Sequence, residues 1–220
     1  MTDVKDKKII LGCFRNLAEG EARLLIMRHG AHKNNVLAEQ ALRQATATGV
    51  ALASSGLKIN NCVSSPSPRA VRTMLAVQEG YGTMNYIRTE PLLSDLAYGY
   101  SDEIPALKAY MASLDMGWNE PNIAKAIFDR KSEHFKLGLK LAVEAAEGLI
   151  ETAVIGQTTL YTTHGVGRIE PGILMLRGGV NELRIPDRLI EMGQIVEVIL
   201  DAKNNIVEEN WLEPITVPAA

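Results

Sequence analysis

The stretch Arg23-Leu24-Leu25-Ile26-Met27-Arg28-His29-Gly30 decides the fold. Leu24 to Met27 is short, apolar without alternation and soon stopped by a glycine, which is the pattern of a strand covered on both faces. The chain after it turns helical. Leu37, Ala41, Ala45, Thr48 and Leu52 recur at spacings of three and four, predicting a helix from about Leu37 to Ala53 with Gly56 in a C-cap position. Asn61 to Ser64 reads as a second strand, and Ser67-Pro68 as an N-cap followed by proline at the first helical position, opening a helix through Ala70, Met74 and Val77.

Further along, Met84 to Arg88 is a candidate strand leading into a long loop through Asp95, Gly99 and Asp102. Pro105 to Ile155 is mostly helical, with breaks near Gly117 and Pro121. Its best-defined helix places Phe135, Leu139, Ala142, Ala146 and Leu149 on one face, and Lys136, Lys140, Glu144, Glu147 and Glu151 largely on the other. Thr158 to Thr163 is strand-like and ends at His164-Gly165, while Ile195 to Leu200 and Ile206 to Glu208 flank the turn Ala-Lys-Asn-Asn as a hairpin. Strands alternating with helices predict a three-layer α/β/α domain with a mostly parallel central sheet.

The 220 residues exceed one compact domain of ordinary size and fall short of two. No internal repeat, low-complexity tract or linker divides them. The expected organisation is an N-terminal extension at 1–22 and a single domain at 23–220, with a helical insertion around 101–155. Hydrophobic residues at 46% and charged residues at 22% exclude a disordered or fibrous chain. A net charge of −3, from 23 basic and 26 acidic residues, gives no overall basic field, so nucleic acid is not an expected partner. No run reaches the roughly 18 apolar residues of a membrane helix, and the N-terminus carries no secretory pattern. Cys13 and Cys62 allow at most one bridge, so a reducing, cytoplasmic setting is expected.

The chemistry lies at two strand ends. In open α/β sheets ligands collect beyond the carboxyl ends of the strands, so His29 and His164, two of only four histidines, can meet in one crevice. Each taken alone can equally cap a strand or fill a polar gap. Between them runs Ser64-Ser65-Pro66-Ser67-Pro68-Arg69-Ala70-Val71-Arg72-Thr73. Arg69 falls in the first turn of a helix, where free N–H groups and the positive dipole end already favour an anion, and its planar fork suits two phosphate oxygens. Arg72, one turn later, is either a competitor for that role or a surface residue.

The ordered set of Arg28-His29-Gly30, Asn35, the following helix, SSPSPRAVRT, the acidic residue in Leu-Leu-Ser-Asp-Leu-Ala-Tyr-Gly and Thr163-His164-Gly165 resembles the histidine phosphatase superfamily, or phosphoglycerate mutase-like fold. The resemblance covers roughly residues 23 to 208. It implies that His29 is the nucleophile forming a phosphohistidine, that Arg28, Asn35, Arg69 and His164 hold the phosphoryl oxygens, and that Asp95 protonates the leaving oxygen, with Asp102 and Glu103 as runners-up. Two arginines and a second imidazole neutralise the charge that phosphoryl transfer develops, so neither a metal nor another cofactor is implied. Departing from the family pattern, Ala31 and His32 follow Arg28-His29-Gly30. His32 is then a rim residue that contacts substrate or, as favoured here, a simple exposed side chain.

The leading functional reading is a phosphomonoesterase acting on a phosphorylated small molecule. A glycolytic-type mutase would need an extended tryptophan-containing motif and a long basic, proline-rich insertion that this sequence lacks. A non-catalytic phospho-ligand binder would ordinarily have lost one of these groups. A metal-dependent hydrolase lacks an HExxH motif or a cysteine pair at zinc spacing. Specificity is expected from the insertion and from His32, Tyr98, Tyr100 and Trp118; no oligomeric state follows from the sequence.

Overall fold

The computed structural model describes residues 14–33, 36–83, 85–94, 104–117, 122, 126, 143–164 and 190–218. Among these, six strands form one sheet in the order β5-β4-β6-β1-β7-β8. They are β1 (Ala22–Arg28), β4 (Asn61–Ser64), β5 (Ile87–Thr89), β6 (Thr158–Thr163), β7 (Ile195–Leu200) and β8 (Ile206–Leu212). β5, β4, β6 and β1 run parallel, while β7 and β8 add an antiparallel hairpin. A two-residue pair, β2 (His32–Lys33) with β3 (Val36–Leu37), forms a separate small ribbon.

All seven residues of β1 are buried, as its unbroken apolar run requires. The strand is longer than Leu24–Met27 because Arg23 is neutralised in place. Its Nε donates to Glu197 Oε1 at 2.6 Å, a second guanidinium nitrogen bonds the Arg15 carbonyl, and the group lies 5.5 Å from the Phe14 ring. A buried cation is tolerable only when paired and hydrogen-bonded in this way.

Helices α1 (Glu39–Ser54) and α2 (Pro68–Tyr81) cover one face of the sheet. Leu25, Met27, Ala45, Leu52, Cys62, Met74, Val77 and Leu160 share the core there, with Cys62 a free thiol. The two helices touch through glycine. A Cβ on Gly49 would stand 2.0 Å from the Val77 carbonyl, and one on Gly80 1.9 Å from that of Thr46. The opposite face carries a helix at 143–151 (α4), whose Ala145, Ala146, Leu149 and Ile150 pack on Leu24, Ile26, Val63 and Tyr161. These three layers make an α/β/α fold with a mostly parallel sheet. A further helix, α3 (Ile104–Ser113), precedes α4 and buries Met111.

Several boundaries differ from the sequence-based expectation. Leu37 does not start α1: it pairs with His32 in the small ribbon, and Ala38 stays extended with its N–H on the Ala31 carbonyl. Ser55 is the C-cap, and Gly56 follows it with φ +72°, the left-handed residue that lets the chain leave the helix. The edge strand β5 begins at Ile87, and the Asn85 carbonyl before it accepts from Gln78 Nε2; Met84, the expected start, lies outside the described residues. β8 runs four residues beyond Glu208. Of the expected helical face, Phe135, Leu139 and Ala142 lie outside the described residues, as do Gly99, Pro121, Gly165 and Cys13. Among the described residues no helix is long and apolar enough to cross a membrane.

Candidate active site

Three parallel strands, β4, β6 and β1, end side by side, and their register fixes what meets beyond them. Arg28 pairs with Thr163 and Ser64 with Thr162, so His29, His164 and Ser65 emerge at one level. Arg28 is buried and anchored on both sides. Its N–H bonds Gln194 O, its carbonyl accepts from Gly193, and Nη1 donates to Ile190 O at 2.9 Å. The His29 N–H bonds Thr163 O at 2.9 Å. Gly30 is required next, because a Cβ there would lie 2.7 Å from Ala41 Cβ of α1.

The hydrogen bonds assign both tautomers. His29 Nδ1 is 2.8 Å from the Gly30 carbonyl, which can only accept, so Nδ1 carries the proton and Nε2 the lone pair. That lone pair accepts from Arg69 Nε at 3.0 Å. The other arm of the same guanidinium, Nη2, is 3.1 Å from His164 Nδ1, so His164 carries its proton on Nε2 and donates to Ser65 Oγ at 2.9 Å. One arginine thus bridges two imidazoles whose centroids are 4.9 Å apart. Thr73 ties this turn of α2 to the strand end, accepting from the Gly30 N–H at 3.2 Å and donating to the Arg69 carbonyl at 2.8 Å.

Burial pushes both imidazoles down to a pKa of about 3, and the charges of Arg69 and Arg28 push the same way, against the Gly30 carbonyl that raises His29. Both rings are therefore neutral at physiological pH, and His29 keeps its lone pair. Unfolded histidine takes a proton below about 6.5 while these do not until about 3, so stability falls as pH drops through that window. In phosphate-free buffer, urea midpoints should show a loss of about 2 kcal/mol per histidine between roughly pH 7.5 and 5. His164→Asn should remove one such share; an unchanged pH dependence would mean that His164 is not held neutral.

A buried lone-pair nitrogen, two guanidinium groups and a second imidazole at adjoining strand ends suit an incoming phosphoryl group. The model of the histidine phosphatase superfamily (branch 1) matches residues 22–166, more than half of the chain and the span that holds every one of these groups. The chain belongs to the histidine phosphatase superfamily. Solved structures similar to it include Bacillus stearothermophilus YhfR, at 17% identity and TM-score 0.57, covering 84% of this chain and 93% of that one. Phosphoglycerate mutase from Plasmodium falciparum is similar at 16% identity and TM-score 0.51, covering 90% and 94%. A mycobacterial glucosyl-3-phosphoglycerate phosphatase with VO3 is similar at 16% and 0.50, covering 86% and 96%. At these identities the likeness is one of fold. No curated protein matches the sequence.

As a member of a superfamily of phosphatases and mutases, the chain gathers His29, Arg28, Arg69 and His164 in one crevice, whereas Arg72 is exposed and takes no part in these contacts. Asn35, Asp95, Asp102, Glu103, Tyr98, Tyr100 and Trp118 lie outside the described residues. His32 is exposed, yet its ring packs edge-on against His29, 5.0 Å between centroids, so it stands at the mouth of the crevice. Ser65 and Thr73 were not singled out from the sequence. Their signal was there: a hydroxyl just after strand β4, and one a single helical turn after Arg69. Ser67 heads α2 but makes no side-chain cap; its N–H is satisfied by Ser65 Oγ instead. Among the described residues no group of three or more His, Cys, Asp or Glu side chains is placed to hold a metal ion. A separate cavity of about 400 Å³, on the α4 side of β4 and β5, is lined by Asn61, Arg88 and Tyr161 among others and includes neither histidine.

Proposed function

We propose that this protein is a cytoplasmic, cofactor-independent phosphomonoesterase that acts on a phosphorylated small molecule, not on nucleic acid or a membrane, through a phosphohistidine intermediate. The observation that carries this reading is the His29 tautomer: Nδ1–H is spent on the Gly30 carbonyl, leaving Nε2 as a lone pair beside the Arg69 fork. In the first step Nε2 attacks phosphorus, the bond to the leaving oxygen breaks, and Asp95 gives that oxygen its proton. In the second, water attacks the phosphohistidine, Asp95 takes the proton back, and phosphate leaves with His29 regenerated. Arg28, Arg69, Asn35 and His164 hold the phosphoryl oxygens through both steps. Domain limits of 23–220, with an insertion around 101–155 shaping the pocket, accompany this proposal.

Rapid quench with a labelled phosphomonoester should trap a base-stable, acid-labile adduct on His29, with turnover unaffected by chelators. Activity lost to a chelator and restored by a divalent metal would overturn the mechanism. Asp95 has its own signature, because an alkoxide needs a proton to leave and a nitrophenolate does not. Asp95→Asn should cost about 10²–10⁴-fold in kcat on an alkyl phosphate and far less on p-nitrophenyl phosphate. Equal losses on both would make Asp95 a positioning residue, and the same asymmetry in Asp102→Asn or Glu103→Gln would move the acid along the loop.

A further inference from the structure

The imidazole of His32 stands at the mouth of the crevice, and the backbone holds it there. Its residue pairs with Leu37 in the β2–β3 ribbon, Leu37 is buried, and the Ala38 N–H closes the turn on the Ala31 carbonyl. The ring therefore meets His29 edge-on at 62°, exposed on its other side. The His29 ring it meets, 5.0 Å away, lies 4.9 Å from that of His164, so His32 stands beside the crevice that those two share. Among the described residues, the other charged or titratable groups near it are Arg28 at the end of β1 and His29 just after it, Lys33 beside it in β2, Arg69 from α2 and His164 just after β6. Glu39 opens α1 and leans toward Arg43, 3.8 Å away.

We propose that His32, protonated, is an additional ligand of the bound anion and makes anion affinity in this crevice fall as pH rises through neutrality. The proposal rests on reading the crevice as a phosphoryl site. In an in-line displacement at His29 Nε2 the leaving oxygen lies on the far side of phosphorus, while the equatorial oxygens fan out around the axis. A ring flanking His29 from the solvent side reaches an equatorial oxygen rather than the leaving one. Arg69 and Arg28 keep their charge at every physiological pH, and His29 and His164 are neutral there, so they supply a constant field. Imidazole is the side chain whose chemistry permits a change of charge within the physiological pH range.

Sulfate is the probe, because it stays a dianion from about pH 5.5 to 8.5 whereas phosphate itself titrates in that range. One charge-assisted hydrogen bond corresponds to about a tenfold change in affinity, so calorimetry should show sulfate binding weaken about tenfold across the range in the wild type. His32→Gln should bind about tenfold more weakly at the acid end and lose the slope; His32→Lys should bind tightly at both ends. A His32→Gln protein that keeps the wild-type slope would overturn the proposal. Arg69→Ala separates the two readings. If it leaves sulfate binding intact, the crevice is not the anion site. If it weakens binding while His32→Gln does not, only the role of His32 fails.

Discussion

His29→Ala is expected to lower kcat/KM on any phosphomonoester by at least about 10⁴-fold, the scale seen when a covalent nucleophile is removed from a preorganised site. The prediction is sharper than a bare loss of activity because the crevice holds a rival. His164 Nδ1 also presents a lone pair to the Arg69 guanidinium, and the two rings lie 4.9 Å apart. What distinguishes them is the second nitrogen. His29 Nδ1–H is fixed on a main-chain carbonyl of its own turn, while His164 Nε2–H rests on a serine hydroxyl that can rotate. The carbonyl holds His29 in one tautomer and, on the proposed mechanism, would stabilise the positive charge that forms on the ring when Nε2 is phosphorylated. His164→Ala should therefore slow turnover yet still give the acid-labile adduct, whereas His29→Ala should give none. An adduct found on His164 in the His29→Ala protein would reverse the two roles.

The exposed part of the crevice and its buried part are set by different forces, and this governs which of them could be read from sequence. β4 and β6 have the limits expected for them, Asn61–Ser64 and Thr158–Thr163; β6 is a run of β-formers, Thr-Thr-Leu-Tyr-Thr-Thr, and β4 is soon followed by the Ser-Pro pair that opens α2. His29 and His164 follow at once, since a parallel sheet leaves no freedom over which end carries the site. The orientation of Arg69 was likewise legible from Ser67-Pro68. What was not legible depended on tertiary partners. Leu37 continues the apolar periodicity of α1 without a break, yet the ribbon with His32 outcompetes the helix because Leu37 finds burial there. His32 itself looked like any exposed histidine; only the ribbon, invisible in a two-residue strand pattern, aims it at His29. Ser65 and Thr73 are ordinary hydroxyls until the ring nitrogen and the Gly30 N–H arrive beside them from strands β6 and β1.

Arg69→Ala is expected to cost about 10³–10⁵-fold in kcat/KM, the range associated with an arginine that stabilises a transferring phosphoryl group. The structure adds a second consequence, because the same side chain holds both histidines before substrate arrives. Nε meets His29 and Nη2 meets His164, so the fork sets the separation of the rings as well as the field they feel. Lysine carries its donors on a single nitrogen and lacks the planar fork whose Nε and Nη2 reach the two rings separately. Arg69→Lys should thus recover little of the loss, and less than charge alone would give. The pH profile supplies the decisive measurement. Burial is the main cause of the low His29 pKa, but the Arg69 charge lowers it further. Without that charge His29 takes a proton at higher pH, and a protonated imidazole cannot attack. The acid limb of kcat/KM should therefore move toward neutral pH in Arg69→Ala and stay near its wild-type position in Arg69→Lys, although both enzymes are slow. A shift of equal size in the two variants would mean that loss of the fork, not of the charge, controls protonation of the nucleophile.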